Sequence, residues 1–113
     1  MTIFDDREQQ FEKQFAHSAE LQFKVMARRN KLLGQWAAEQ LRKTPEQTAE
    51  YVRDVIASDF ERPGDDDVLE KVHADLAAAG IGLNPEAVRA EMTRLYTVAR
   101  QQLAQEMHTD AEG

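Results

Sequence analysis

The 113-residue sequence has no cysteine, only three prolines and five glycines, and a single tryptophan. Without cysteine the chain can form neither disulfides nor thiolate-based metal sites, and it has no thiolate nucleophile. No apolar run approaches the roughly 18 residues that a membrane span needs, and the N-terminus lacks the apolar stretch of a secretory signal. We therefore expect a cytoplasmic protein that does not insert into a membrane.

The charge of the chain is unevenly distributed. Residues 1–43 carry eight Lys and Arg against six Asp and Glu, whereas residues 44–113 carry six against fifteen. Nucleic-acid binding needs a basic surface, so this acidic remainder argues against a nucleic-acid partner. The composition, 42% apolar and 31% charged, is typical of one small globular domain.

Apolar residues recur at helical spacing along a first segment that no proline interrupts before Pro45. A helix from about Asp6 to Lys43 is roughly 57 Å long, whereas the later helical segments are roughly 22 to 35 Å long. The shorter helices cannot cover the whole apolar stripe, so we expect its N-terminal part to overhang or to be mobile. The stripe consists of Phe4, Phe11, Phe15, Ala19, Met26, Leu33, Ala37 and Leu41.

Three start signals divide the remainder of the chain. They are a capping box at 44–47, three aspartates at 65–67 that supply a cap and two first-turn acids, and Asn84 ahead of a proline. Gly80 and Gly82 are expected to end the third helix. The predicted inward-facing residues are Val52, Val55, Ile56 and Phe60, then Leu69, Val72 and Leu76, and finally Val88, Met92, Leu95, Ala99 and Leu103.

These patterns predict an all-α fold, a four-helix bundle with a long first helix. Ser18 follows the stretch of the first helix with the weakest helical propensity, and serine is a good N-cap. We expect residues 1–17 to form an N-terminal arm, residues 18–107 the bundle, and residues 108–113 a disordered tail. A rigid overhang and a hinged arm remain alternatives.

Residues that commonly carry catalysis or bind metals are isolated along the chain. The histidines lack the pairing of a metal site, the two serines lack the context of a nucleophile, and residues 65–67 and 80–82 lack the patterns of calcium and phosphate loops. We expect no enzyme activity, no catalytic residue, no cofactor and no metal. The isolated residues are His17, His73, His108, Ser18 and Ser58.

Two residues of the first helix have predicted structural roles. Arg29 is expected to pack its stem on Trp36 and to pair with an acid of another helix, such as Asp59. Gly34 is expected to let a neighbouring helix approach closely. A basic cluster on the side away from the stripe is either a solvated or salt-bridged face or a docking patch, and comprises Lys24, Arg28, Lys31 and Arg42.

The run ARRNKLLGQWAAE at 27–39 closely resembles the zeta subunit of the alphaproteobacterial F-type ATP synthase. FDDRE at 4–8, FEKQFAH at 11–17 and QFK at 22–24 carry the same resemblance. It is sharpest over residues 2–39 and looser through the acidic bundle. Members of this family adopt a four-helix bundle, so the resemblance and the periodicity imply the same fold.

The resemblance implies an inhibitor of ATP hydrolysis. In that family the N-terminal segment inserts between alpha and beta subunits of the catalytic head, next to the gamma shaft, which places the protein at the inner membrane through the synthase. Here that segment is residues 4–17, and we expect a monomer when the protein is free. The implied apolar anchors are Phe4, Phe11 and Phe15, and the implied polar contacts are Arg7, Glu8, Lys13 and His17.

One departure and two alternatives accompany this interpretation. The chain has Ser18 after His17, where the family often has an acid, so the charge and hinge behaviour there differ. The three phenylalanines could also fold back on the bundle or be covered in a dimer, which would make the protein a self-associating helical adaptor. A nucleotide-sensing domain ranks last, because no phosphate-binding motif is present.

Overall fold

A computed structural model of the chain describes residue 13, residues 15–61 and residues 65–112, with side chains except at 60, 61 and 108–112. It consists of four principal helices: α1 (Ala19–Gln40), α2 (Pro45–Glu61), α3 (Asp66–Ala78) and α4 (Pro85–Glu112). Residues 15–17 are also helical and precede Ser18. The fold is all-α, as the sequence predicts.

The helix starts follow the predicted capping chemistry at two places. At the start of α2, the Thr44 N–H donates to Gln47 Oε1 at 3.0 Å and the Gln47 N–H donates to Thr44 Oγ1 at 3.2 Å, which completes a reciprocal capping box. At the start of α4, the Ala87 N–H donates to Asn84 Oδ1 at 2.8 Å. Both connections therefore end where the sequence predicts.

The start of α3 differs from the prediction. Asp65 occupies the N-cap position, but its side chain makes no capping hydrogen bond. Its Oδ1 instead accepts from Arg29 Nη2 at 3.0 Å. An arginine on α1 therefore uses the carboxylate that the sequence assigned to capping.

Two helices end in the same hydrogen-bond motif with different residues at its left-handed position. After α3 the Ile81 N–H donates to the Leu76 carbonyl, and Gly80 has a φ of 78°. After α1 the Lys43 N–H donates to the Ala38 carbonyl, and Arg42 takes the left-handed position with a φ of 56°. Gly80 alone provides the predicted glycine stop, because Gly82 has no positive φ.

The helices form a ring in which α1 contacts all three others. Within the described residues α2 packs on α1 and α3, α4 packs on α1 and α3, and α2 does not meet α4. Gly34 lies where α1 and α2 approach closely, since a Cβ there would lie 3.0 Å from the Val52 Cα. The predicted close approach at Gly34 is confirmed.

The buried apolar residues form two clusters at different levels of the bundle. The larger cluster draws on all four helices and includes Leu33, Val55, Leu76 and Met92. The buried residues of the smaller cluster lie in the N-terminal half of α1 and the C-terminal half of α4, and none of its described members belongs to α2 or α3. We call the first level the four-helix end and the second level the two-helix end. The residues buried at the two-helix end are Leu21, Val25, Ala99 and Leu103.

The predicted inner faces need two corrections and are confirmed in one helix. At the two-helix end the inward residues are Leu21 and Val25, while Ala19 is exposed and Met26 half-buried, because the face of α1 that meets α4 lies beside the predicted stripe. Tyr51 and Val68 are buried core residues that the sequence patterns missed. The predicted α4 stripe is buried at all five positions, which are Val88, Met92, Leu95, Ala99 and Leu103.

The first and last helices also differ in length from the prediction. The first helix does not run unbroken from Asp6 to Lys43, because Ser18 interrupts it and α1 ends at Gln40. Helix α4 is 28 residues long and reaches Glu112, past the point where the sequence predicts a disordered tail over 108–113. No proline or glycine stands between Pro85 and Gly113 to stop it.

Among the residues described here, no helix has the combination of length and apolar character that crossing a membrane requires.

Candidate partner-binding arm and its contacts

The arm joins the bundle at Ser18, where the backbone leaves helical geometry. Ser18 has φ −120° and ψ 107°, and its Oγ accepts from the Leu21 N–H at 3.1 Å, so it is the N-cap of α1. The Phe15 carbonyl accepts from Gln22 Nε2 at 2.8 Å, which ties the end of the arm to the first turn of α1. The predicted use of Ser18 as an N-cap is confirmed.

Phe15 is half-buried against α4. Its ring meets the Tyr96 ring edge-on, with centroids 6.4 Å apart and planes at 74°. The Arg100 guanidinium carbon lies 4.7 Å from the Phe15 ring centroid, within cation–π distance. Each contact of this type is worth roughly 0.5–1.5 kcal/mol. We call Tyr96 and Arg100 the α4 seat of Phe15.

The other predicted contact residues divide into two groups. Lys13 and His17 lie in the described part of the arm, and both are exposed. Phe4, Arg7, Glu8 and Phe11 lie outside the described residues, so their roles stay predictions. Of the three phenylalanines, Phe15 is the one within the described residues, and it lies in a defined contact.

Sequence reasoning missed the α4 seat. Tyr96 and Arg100 are four residues apart, so they share one side of α4, next to the stripe that contains Leu95 and Ala99. The signal available in the sequence was an aromatic residue with a cation four positions later, beside the apolar stripe. What it packs against could not be read from α4 alone.

A polar contact reinforces the two-helix end at its surface. Arg28 Nη1 donates to Gln102 Oε1 at 2.8 Å, and Arg28 Nη2 donates to both carboxylate oxygens of Glu106 at 2.8 and 3.0 Å. For Arg28, the salt-bridged alternative of the prediction holds, since its ion pair with Glu106 links α1 to α4. Phe23 on α1 is 56% exposed, so this end also presents an aromatic surface to solvent.

A buried polar layer separates the two apolar clusters on α1. Arg29 and Asn30 are almost fully buried, at 2% and 1% exposure, between Val25 of one cluster and Leu33 of the other. Arg29 Nε donates to Asn30 Oδ1 at 2.9 Å, and Arg29 Nη2 donates to Asp65.

Arg29 pairs with an acid of another helix, as predicted, but that acid is Asp65 and not Asp59, which was the example suggested. Asn30 Nδ2 donates to Asp59 Oδ2 at 3.1 Å, while the carboxylate at the start of α3 pairs with Arg29. Asn30 and Arg29 together connect α1 to the end of α2 and the start of α3. The missed residue is Asn30, whose amide can donate to one helix while its oxygen accepts from its neighbour.

A second polar cluster lies at the four-helix end. Tyr51 on α2 donates its hydroxyl to Asp75 Oδ2 on α3 at 2.8 Å, and Lys43 and Lys71 lie 5.3 and 5.4 Å from its ring centroid. Burial, the hydrogen bond to Asp75 and the nearby carboxylates hold the pKa of Tyr51 well above its usual value. This cluster joins two helices at the far end from the arm.

No grouping of three His, Asp or Glu side chains suited to a metal ion occurs among the residues that the structure describes. His17 is exposed on the arm and His73 is half-buried on α3.

Comparison with known proteins finds a similarity that covers both the arm and the bundle. No curated protein matches the chain. A protein whose structure was solved in solution by NMR is similar, with 42% identity and a TM-score of 0.67 over 76% of this chain and 98% of that one. The family described as ATPase inhibitor subunit zeta matches residues 1–102, which include both the arm and nearly all of the bundle. The chain belongs to the ATPase inhibitor subunit zeta family.

Proposed function

We propose that this protein inhibits ATP hydrolysis by the F-type ATP synthase, and that residues 1–17 insert between an alpha and a beta subunit of the catalytic head next to the gamma shaft. The observation that carries the proposal is the family match over residues 1–102. That match begins in the arm, so the likeness is not confined to the bundle scaffold. The family description is that of a regulatory subunit.

The sequence of the arm supports helix-in-groove binding. Phe4, Phe11 and Phe15 recur at helical spacing, and a helix that enters an apolar groove contacts it through such a row. Aromatic residues carry a large share of binding energy in protein interfaces. Arg7, Glu8, Lys13 and His17 are polar contacts of the same arm in this proposal.

The junction at Ser18 supports separate roles for the arm and the bundle. Because Ser18 caps α1 through its own side chain, α1 does not need the arm to complete its first turn. The arm can therefore change its direction or its partner without unwinding α1. The bundle holds the arm on the outside of the enzyme.

The test is the effect of the purified chain on cognate ATP synthase depleted of its zeta subunit. We expect micromolar protein to slow ATP hydrolysis while leaving ATP synthesis largely unchanged. A chain that begins at Ser18, with its helical content checked by circular dichroism, is expected to have lost this inhibition. Equal rates of hydrolysis with and without the full chain would contradict the proposal.

Self-association through the first helix is the alternative function, and it has a separate readout. Sedimentation at rising protein concentration distinguishes the two. A monomer that inhibits the synthase agrees with the proposal, whereas a stable dimer lost on substitution of Phe4 and Phe11 favours the adaptor.

A further inference from the structure

The α4 seat and the groove of the proposed target would both be occupied by the ring of Phe15. Phe15 packs edge-on against Tyr96 and lies under the Arg100 guanidinium. Phe11 and Phe15 are four residues apart, so a helical arm presents both on one face. A ring that rests on α4 cannot at the same time fill a groove in another protein.

We propose that Tyr96 and Arg100 restrain the arm of the free protein by holding Phe15 on α4, and that this contact is released when the arm binds the ATP synthase. The restraining role rests on the proposed function, whereas the holding of Phe15 in the free protein does not. In this proposal the α4 seat is an autoinhibitory contact, because it keeps the arm from its target.

Three features of the junction suit a contact that opens. Phe15 packs against the outside of the smaller apolar cluster and is not one of its buried members. The cap at Ser18 keeps α1 intact when the arm leaves. Among the described residues, the hydrogen bonds that join the end of the arm to the start of α1 both end on the Phe15 carbonyl, which accepts from the Ser18 N–H and from Gln22 Nε2.

The gain in inhibition on removing the seat depends on the fraction of time for which Phe15 occupies it. A binding-competent state that is populated for only a fraction of the time weakens the apparent affinity by that fraction. At the lower end of their usual strength, one edge-on aromatic contact and one cation–π contact at a partly exposed site together correspond to a seat occupied about five to ten times as often as it is empty. Removing the seat is therefore expected to strengthen inhibition about fivefold to tenfold.

The first experiment concerns the free protein. The chain has no cysteine, so a spin label on Ala16→Cys, an exposed position of the arm, reports the motion of the arm alone. We expect the label to become clearly more mobile in the double variant Tyr96→Ala/Arg100→Gln. The matched control is Thr97→Ala, an exposed residue of α4 beside the seat, which is expected to leave the mobility unchanged. Equal mobility in the double variant and the control would overturn the proposal.

The second experiment uses unlabelled full chains on zeta-depleted ATP synthase. The double variant is expected to reach half-inhibition of ATP hydrolysis at about one-fifth to one-tenth of the wild-type concentration. Circular dichroism establishes that the variant remains folded. Unchanged or weaker inhibition together with a freed label would overturn the restraining role, because the seat would then position the arm for binding. If the wild-type chain does not inhibit, the proposed function fails and the restraint with it, while the label still decides whether the seat holds Phe15.

Discussion

The two ends of this molecule are built on the same pair of helices, α1 and α4, but differ in how many neighbours cover them. At the four-helix end α2 and α3 complete a cluster whose largest members, such as Leu33 and Leu76, are fully buried. At the two-helix end the described members of the cluster come from α1, α4 and the arm, and Leu21 and Leu103 keep 7% and 8% exposure. A segment with fewer buried contacts opens at lower free energy than the main core.

The shape of the molecule reflects this difference. Its radius of gyration is 15.6 Å, larger than the roughly 13 Å expected of a compact domain of this length. We infer that the four-helix end supplies stability and the two-helix end holds the arm.

The largest expected difference between the ends concerns core truncation. Leu76→Ala at the four-helix end is expected to lower the free energy of unfolding by about 3–4 kcal/mol, because the cavity is surrounded by all four helices. Leu103→Ala at the two-helix end is expected to cost about 2 kcal/mol, since that cluster is smaller and can collapse. Urea denaturation followed by circular dichroism measures both. Equal losses would contradict the distinction between the two ends.

The polar layer between the ends provides the next test. Asp65→Asn leaves the almost fully buried Arg29 without its charge partner and is expected to cost about 2 kcal/mol. The matched control is the neighbouring Asp66→Asn, whose partner Arg89 is half exposed, so the expected cost is about 0–0.5 kcal/mol. Thermal unfolding distinguishes the two variants. A larger loss at Asp66 would show that the buried layer is not what fixes the start of α3.

Two substitutions at helix C-termini are expected to change the free energy of unfolding by smaller amounts and in opposite directions. Arg42→Gly is expected to stabilise the protein by about 0.5–1 kcal/mol, because glycine adopts the left-handed conformation without the strain of a side chain. Gly80→Ala, the reverse change in the same motif, is expected to cost about 1 kcal/mol. Chemical denaturation of both variants measures the shift. A destabilising Arg42→Gly would mean that the Arg42 side chain makes contacts that outweigh the strain.

The smallest effect is confined to alkaline pH. Tyr51 has a raised pKa in the folded protein, so the unfolded chain loses its phenolic proton first as the pH rises. Its contribution is fully present below about pH 10, the ordinary tyrosine pKa, and is lost progressively above it. Thermal melts between neutral and alkaline pH are expected to show a steeper decline for the wild type than for Tyr51→Phe. Parallel declines would remove Tyr51 as the cause.

The features of the fold that could be predicted from the sequence are those whose patterns are local. The capping box at 44–47, the Asn84 cap and the inner face of α4 were predicted because their partners lie within a few residues along the chain. The close approach at Gly34 followed from the absence of a side chain in a helix. These features involve one helix or one helix face at a time.

Contacts between helices were harder to predict. Arg29 had several acids within reach, and the fold assigns it Asp65 while giving Asp59 to Asn30. Phe15 had the spacing of a binding anchor, but only the arrangement of α4 beside the arm places it on Tyr96. Periodicity indicates which face of a helix is apolar, and it does not determine which neighbour covers that face.

The most direct test of the central claim uses one variant of the full chain and two readouts. Phe4→Ala/Phe11→Ala changes only the arm, and the claim is that the arm acts on the synthase while the four-helix end holds the fold. We predict that this variant unfolds at the same temperature as the wild type and needs more than ten times its concentration to inhibit ATP hydrolysis by zeta-depleted ATP synthase. Undiminished inhibition at an unchanged unfolding temperature would contradict the account.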